Sequence, residues 1–421
     1  MTKNIIISIL ILIIIIIYKI FQIKKYKKIY KDTLFNKSLK IIKISYLISL
    51  LLFIIILTLN VINYGNDTSI STTIEYIMNA ISVAVLALPL TIQSLYKTSF
   101  EQEEKISHKK TIVTNEITEK LIRKYNKAGI NVIILTTKET DIKIKTINEN
   151  EIDKKLLSKN IIIKTENLKI LDKIINKEKS IYAFNSSEKI YFQIKEARGV
   201  HDNYIRTIKY NIITYLSLIL SYLFLTLMSF PTSLNLSLVL LLKLFTILTS
   251  DIIYKKMPYD VDIMERKVKD KEIFIGRQEL LITIIASLSV FFFSTIPYMY
   301  TLSQDGTIEL ANTLFYIIFI YSNLFVTYSL VSENNIIKNI FKSLTNIRLI
   351  IYTISIIAFT LLLNFTNIFD TKNIYFKNYI SCIIFGIFTI IFLEITKLAR
   401  FTTLKGTNKN ELKNNKKHKR S

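Results

Sequence analysis

A lysine stands in the middle of an apolar run at Lys243, and a proline in the middle of another at Pro89. Either could do chemistry inside a membrane. Pro89 lies in A-V-L-A-L-P-L-T-I-Q-S-L-Y, where it removes a backbone donor and frees carbonyls. Freed carbonyls can ligate a cation, although a simple kink needs no such role. An isolated charge at mid-membrane costs about 2.5–3.5 kcal/mol on insertion scales, so Lys243 is rarely neutral decoration. The bland reading is a lysine that snorkels or sits deprotonated in a tolerant bundle. Carboxylates that would complete a cation site are missing from mid-run positions: Glu75, Glu279 and Glu394 fall near the ends of apolar runs. Between 99 and 207 the acidic candidates for nucleophilic work are Asp141, Asp153, Asp172 and Asp202, and the only glycines are Gly129 and Gly199. Close approach of backbone to phosphate favours glycine, and this segment has few. No catalytic, cofactor-binding or metal-ligating set is expected.

The elements that hold these residues are long and apolar. Half of the 421 residues are hydrophobic, with 24 Tyr, 25 Phe and no Trp. A spanning helix needs about 20 apolar residues. Nine candidate spans lie at about 4–22, 40–62, 74–97, 208–230, 234–254, 279–302, 311–331, 346–364 and 378–396. The first has no small-residue cleavage site and reads as a retained helix. The net charge of +24 sets orientation before it suggests nucleic acid. Basic segments 23–40, 98–207, 255–278, 332–345 and the tail from Lys397 alternate with lysine-free 63–73 and 303–310. That places the N-terminus outside and the C-terminus in the cytoplasm; 365–377, with Lys372 and Lys377, is the one blemish. Cys382 lies in a span, which leaves no disulfide framework. The lysine-rich tail 405–421 reads as a solvated positive-inside tail rather than a lipid-binding device.

Segment 99–207 is the only sizeable soluble part. Ile117, Leu121, Ile122 and Tyr125 recur at helical spacing within 115–127, and Ala128-Gly129 ends that helix. Ile130–Leu135 reads as a buried strand, followed by Thr136-Thr137-Lys138. A second unit has strand Ile161–Lys164, helix Asn167–Asn176 and strand Ser180–Phe184.

From Lys243 to Lys269 the chain reads K-L-F-T-I-L-T-S-D-I-I-Y-K-K-M-P-Y-D-V-D-I-M-E-R-K-V-K. This resembles the loop after the sixth membrane helix of calcium-type P-type cation pumps. Other stretches resemble the same family in order: Pro89 followed by Lys109-Lys110-Thr-Ile-Val; K-A-G-I and Thr136; E-A-R-G-V-H-D-N-Y-I-R-T-I-K-Y; Y-S-L-V-S-E-N-N at 328–335; and F-L-E-I-T-K-L-A-R-F at 392–401. The resemblance covers about residues 40–401. Pro231, Pro258, Asp260, Asp262, Met264 and Arg266 fall on family positions. The family's ion-liganding positions fall on Leu90, Leu218, Lys243, Ile247 and Asn323. Of these only Asn323 keeps a ligand-type amide, and Lys243 brings a positive charge. Lys243 is then a built-in cation that replaces the bound ion and holds one conformation, or else a tolerated lysine. D-K-T-G-T, T-G-D-G-x-N-D and T-G-E-S are absent, and the 98–207 segment is too short for a nucleotide domain. Lys169 matches a phosphate-contacting lysine of the family or is a plain surface lysine.

The expected fold is an α-helical polytopic membrane protein of about nine spans with a small cytoplasmic α/β remnant of a phosphorylation domain. Its expected parts are an N-terminal helix and basic loop (1–39), a helical hairpin (40–98), the α/β remnant (99–207), a six-helix bundle (208–401) and a basic tail (402–421). The expected function is that of a pseudo-pump in the cell membrane: catalytically inactive, cofactor-free, and regulatory or scaffolding. The alternative is cation transport, passive or as the membrane part of a split pump. Its partners would be the lipid bilayer and another membrane or ATPase subunit, with no nucleic acid. The vestigial ion site would comprise Lys243, Asn323 and Pro89.

Overall fold

The computed structural model describes residues 17, 47–59, 61–62, 77, 80–81, 110–115, 117–136, 144–148, 160–164, 180–182, 187–231, 236–254, 257, 259–260, 262–266, 277–331, 346–366 and 371–417. The chain is mostly helical, with one small parallel sheet. It divides into a bundle unit (Met1–Thr98, Arg206–Lys256, Ile275–Ser421) and a sheet unit (Ser99–Ile205, Met257–Phe274).

In the bundle unit α1 is Leu47–Leu59. The sheet unit supplies β1 (Thr111–Thr114), α2 (Glu119–Lys127), β2 (Asn131–Thr136), β3 (Thr146–Asn148), β4 (Ile161–Lys164) and β5 (Ser180–Tyr182). Then come α3 (Ser187–Leu227), α4 (Leu236–Ile252), α5 (Arg277–Ser303), α6 (Ile308–Leu330), α7 (Ile347–Phe365) and α8 (Phe376–Lys417). Among the described residues five helices are long and apolar enough to cross a membrane: α3, α5, α6, α7 and the first part of α8. They cover five of the nine expected spans. The 234–254 span appears as α4, of 17 residues, and the 40–62 span contains α1. The spans at 4–22 and 74–97 fall outside the described residues, apart from Ile17, Ile77 and Ala80-Ile81.

The bundle core is aliphatic and aromatic around α6, whose Phe315, Tyr316, Ile317, Ile318, Phe319 and Ile320 are all at most 4 % exposed. A helix apolar all round and buried all round must be the centre of its bundle. By contrast α7 and α8 turn large side chains outward, among them Ile347, Ile351, Ile354, Ile384 and Phe388. That outward apolar surface suits a lipid environment, in which backbone groups must be satisfied within each helix. Hydroxyls on these helices bond back one turn: Ser294 to the Val290 carbonyl, Thr327 to that of Asn323, Thr353 to that of Leu349.

The sheet runs in the order β3-β4-β2-β1-β5, every pair parallel. Its register sets Thr111 beside Asn131, Ile133 beside Ile161 and Ile112 beside Ile181. Val132, Ile133 and Ile134 are all essentially unexposed, which is why β2 reads as a continuous apolar run: both faces of the central strand are covered. Leu121, Ile122 and Tyr125 of α2 pack with Val132 and Ile134. Burial pushes the Tyr125 phenol far above its ordinary pKa, so it stays protonated and donates to the Ser187 carbonyl at 2.6 Å. Strands β2 and β4 lie where the apolar runs put them. Strands β1 and β3 were not expected: T-I-V-T and T-I-N are too short and too mixed to stand out, and are strands because neighbours accept their ladder bonds. Helix α2 starts at Glu119 rather than at residue 115, because Thr118 is extended (φ −88°, ψ 148°). The expected helix 167–176 lies outside the described residues.

Gly386 on α8 lies close against α6. A Cβ added there would lie 2.8 Å from Tyr321 Cβ on α6. Small residues allow such approach between membrane helices. Gly386→Val is expected to force α6 and α8 apart and cost about 1–3 kcal/mol. Thermal unfolding in detergent measures this, and an unchanged midpoint would contradict the packing described.

Candidate functional site

The mid-bundle polar site is built on α3, α4 and α6. Asn323 of α6 is buried, at 5 % exposed. Its Oδ1 accepts from the Thr214 hydroxyl of α3 at 2.6 Å, and its Nδ2 donates to the Phe319 carbonyl at 2.8 Å. Beside it lies a cavity of about 20 Å³ lined by Thr214, Thr246, Asn323, Leu242 and Tyr352 among others. That volume suits one water. Among the described residues its lining contains hydroxyls and one amide but no carboxylate. Lys243 is also buried at 5 %, and it is held by polar or electrostatic contacts. It does not line this cavity, although Leu242, Phe245 and Thr246 on the same helix do. The helical turn explains this: 242, 245 and 246 share one face, and 243 is rotated about 100° from 242. Leu218 is buried and apolar. Pro89, Leu90 and the Ile247 side chain lie outside the described residues, as do Lys169 and Pro258.

In the sheet unit the charged loop closes around Arg266. Its guanidinium donates to Asp202 at 3.0 Å, to both oxygens of Asp262 at 2.8 and 3.3 Å, and to Asp260. Three carboxylates that might have gathered a metal ion instead surround a fixed cation. A second arginine works from the helix side. Arg198 of α3 donates to the carbonyls of Ala128 (2.9 Å), Arg266 (3.2 Å) and Ile263 (3.4 Å). Asn203 donates to the Met257 carbonyl at 2.7 Å. Residues 198, 199, 202 and 203 fall on one face of α3, at i, i+1, i+4 and i+5. Gly199 on that face meets the Tyr259 ring so closely that an added Cβ would sit 2.1 Å from Cδ1. Ile263 and Met264 of the loop then join the core with Val132, Ile134 and Ile194.

Residues 231–399 match the family model described as cation transporting ATPase, C-terminus. That stretch is similar to the C-terminal membrane region of cation-transporting ATPases. No curated protein sequence matches the chain. The matched stretch contains Lys243, Asp260, Asp262, Arg266 and Asn323. Their partners Asp202, Arg198 and Thr214 precede it, on α3.

Two buried ion pairs in the bundle escaped the sequence reading. Glu279 at the start of α5 lies 3.4 Å from Lys209 of α3, both under 10 % exposed. Glu394 of α8 accepts from Lys397 at 2.8 Å and from the Ser329 hydroxyl at 2.7 Å, and Lys397 also donates to the Ser329 carbonyl. The sequence placed both glutamates near span ends, where exposure is the default. Only their convergence with lysines from other turns and helices buries them.

Arg266→Ala would leave Asp202 and Asp260 partly buried without their shared cation. The expected cost is about 2–5 kcal/mol of stability in the sheet unit. Asp262→Asn should cost under about 1 kcal/mol, because Asp262 is a third exposed. Thermal unfolding of both variants measures the order, and equal effects would show that the loop is not held by Arg266.

Proposed function

We propose that this cation-pump-related chain is a pseudo-pump: a membrane protein that neither forms an aspartyl phosphate nor drives ions, and that acts by binding as a regulatory or scaffolding subunit. The observation that carries this reading is the mid-bundle polar site. Asn323 spends its amide on Thr214 and on its own helix, the adjacent cavity has room for about one water, and its lining has no carboxylate. Cation sites in a membrane are built from carboxylates and amides that face the bundle interior. The absence of D-K-T-G-T, T-G-D-G-x-N-D and T-G-E-S from the 421 residues supports the same reading, because phosphoryl transfer depends on a nucleophilic carboxylate positioned with its metal. On this proposal the sheet unit is a remnant of the phosphorylation domain. The protein sits in the cell membrane with its N-terminus outside and its basic C-terminus in the cytoplasm, against the bilayer and another membrane or ATPase subunit. Lys243 then serves as the fixed charge that stands in for a transported ion.

The second reading is cation transport, passive or as the membrane part of a split pump. It draws on the family match, which falls on the membrane helices rather than on a catalytic domain.

Purified protein incubated with radiolabelled ATP and Mg²⁺ is expected to form no acid-stable phosphoenzyme, and labelling would end the pseudo-pump proposal. Proteoliposomes are expected to show no cation flux above empty vesicles; flux without ATP would favour passive transport. A pull-down that recovers a second chain bearing D-K-T-G-T would favour the split pump. Lys243→Leu is expected to fold and to lose partner binding, and unchanged partners in that variant would remove the role given to Lys243.

A further inference from the structure

A second cavity in the bundle unit, of about 40 Å³, is lined by residues of α3, α5, α6 and α8. Its charged lining is Arg206 and Lys209 from α3, Glu279 from α5 and Lys397 from α8, and Ser329 of α6 also lines it. None of these charged side chains is more than 8 % exposed, and Arg206 is 1 % exposed. This is a cavity distinct from the one beside Asn323, with no lining residue in common.

Size and charge together narrow what it can take. A water needs about 10–15 Å³ of such volume, so the cavity has room for roughly three waters, or one group of a few heavy atoms. Among the described residues the lining carries three cations and one carboxylate. Counting Glu394, which holds Lys397, leaves three cations against two carboxylates. Each of these groups already makes contacts within the bundle. The argument rests on the sign of the enclosure, not on any group lacking a partner. Lys209 and Lys397 are each held in place by a carboxylate. A metal cation would meet net repulsion here. An oxyanion would meet a guanidinium and two ammonium groups, the donors that suit phosphate geometry.

We propose that this cavity is a binding site for a phosphate-class oxyanion, supplied either by an anionic lipid head group or by free phosphate. Glu279 and Ser329 lie near the ends of the apolar helices α5 and α6, the level at which a spanning helix meets both head groups and water.

The test uses full-length protein in zwitterionic nanodiscs, titrated with inorganic phosphate at constant ionic strength and followed by thermal unfolding. A parallel arm uses nanodiscs containing phosphatidylglycerol, with native mass spectrometry to count retained lipid. Saturable stabilisation in the first arm identifies free phosphate, and retained phosphatidylglycerol in the second identifies the lipid. Arg206→Gln is expected to weaken the effect about tenfold, the worth of one charge-assisted hydrogen bond. Glu279→Gln is expected to tighten it several-fold, because a competing negative charge is removed. No response in either arm would overturn the proposal. So would binding that is unchanged or weakened in folded Glu279→Gln, a result that decides the matter even where Arg206→Gln does not fold.

Discussion

Arg266 is the charge on which the sheet unit closes. Three aspartates from two separated parts of the chain, Asp202 and the pair Asp260 and Asp262, converge on one guanidinium. Without it, like charges would sit together in a partly buried site. With it, Ile263 and Met264 are delivered into the sheet core, and Arg198 can reach the loop carbonyls. A guanidinium suits this work because its donors lie in a rigid fork and it stays charged even when half-buried. The loop is thus folded by an internal cation.

The bundle unit handles polarity by a different rule. Its serines and threonines return their donors to the preceding turn, as at Ser221, Thr246, Thr283 and Ser287. Others reach another helix, as Thr214 does to Asn323, Thr295 to Ser221 and Thr389 to Ser322. Such contacts fix helix positions without leaving an open set of acceptors. A membrane interior tolerates polar groups on those terms, and a cation needs the opposite, acceptors held apart and unsatisfied. Among the described residues the bundle also holds two lysine–glutamate pairs, Lys209 with Glu279 and Lys397 with Glu394.

Much of this was legible in the chain. Apolar runs of spanning length marked the helices that became α3, α5, α6, α7 and α8, because hydrocarbon thickness sets that length regardless of neighbours. The β-branched runs at 131–136 and 161–164 marked the central strands, because a strand covered on both faces has no polar alternate positions. D-V-D-I-M-E-R pointed to the family by its residues alone, and the match over 231–399 agrees. The nearness of Lys243 to Asn323 in an aligned site was less secure. The two belong to different faces of their surroundings, since Asn323 lines the small cavity and Lys243 does not.

The sequence by itself determined membrane class, the main helices, the buried strands and the absence of carboxylates from the middle of the spans. These are local properties, set by run length, periodicity and residue type. Only the tertiary structure decided that T-I-V-T and T-I-N are strands, that Arg266 gathers three aspartates, and that Glu279 and Glu394 are buried with lysines. Each of those depends on groups far apart in the chain meeting in space. Lys209 and Glu279, for example, are joined only through the packing of α3 against α5. A side chain's charge is written in its residue type, but whether that charge is solvated, paired or enclosed depends on what the fold places around it.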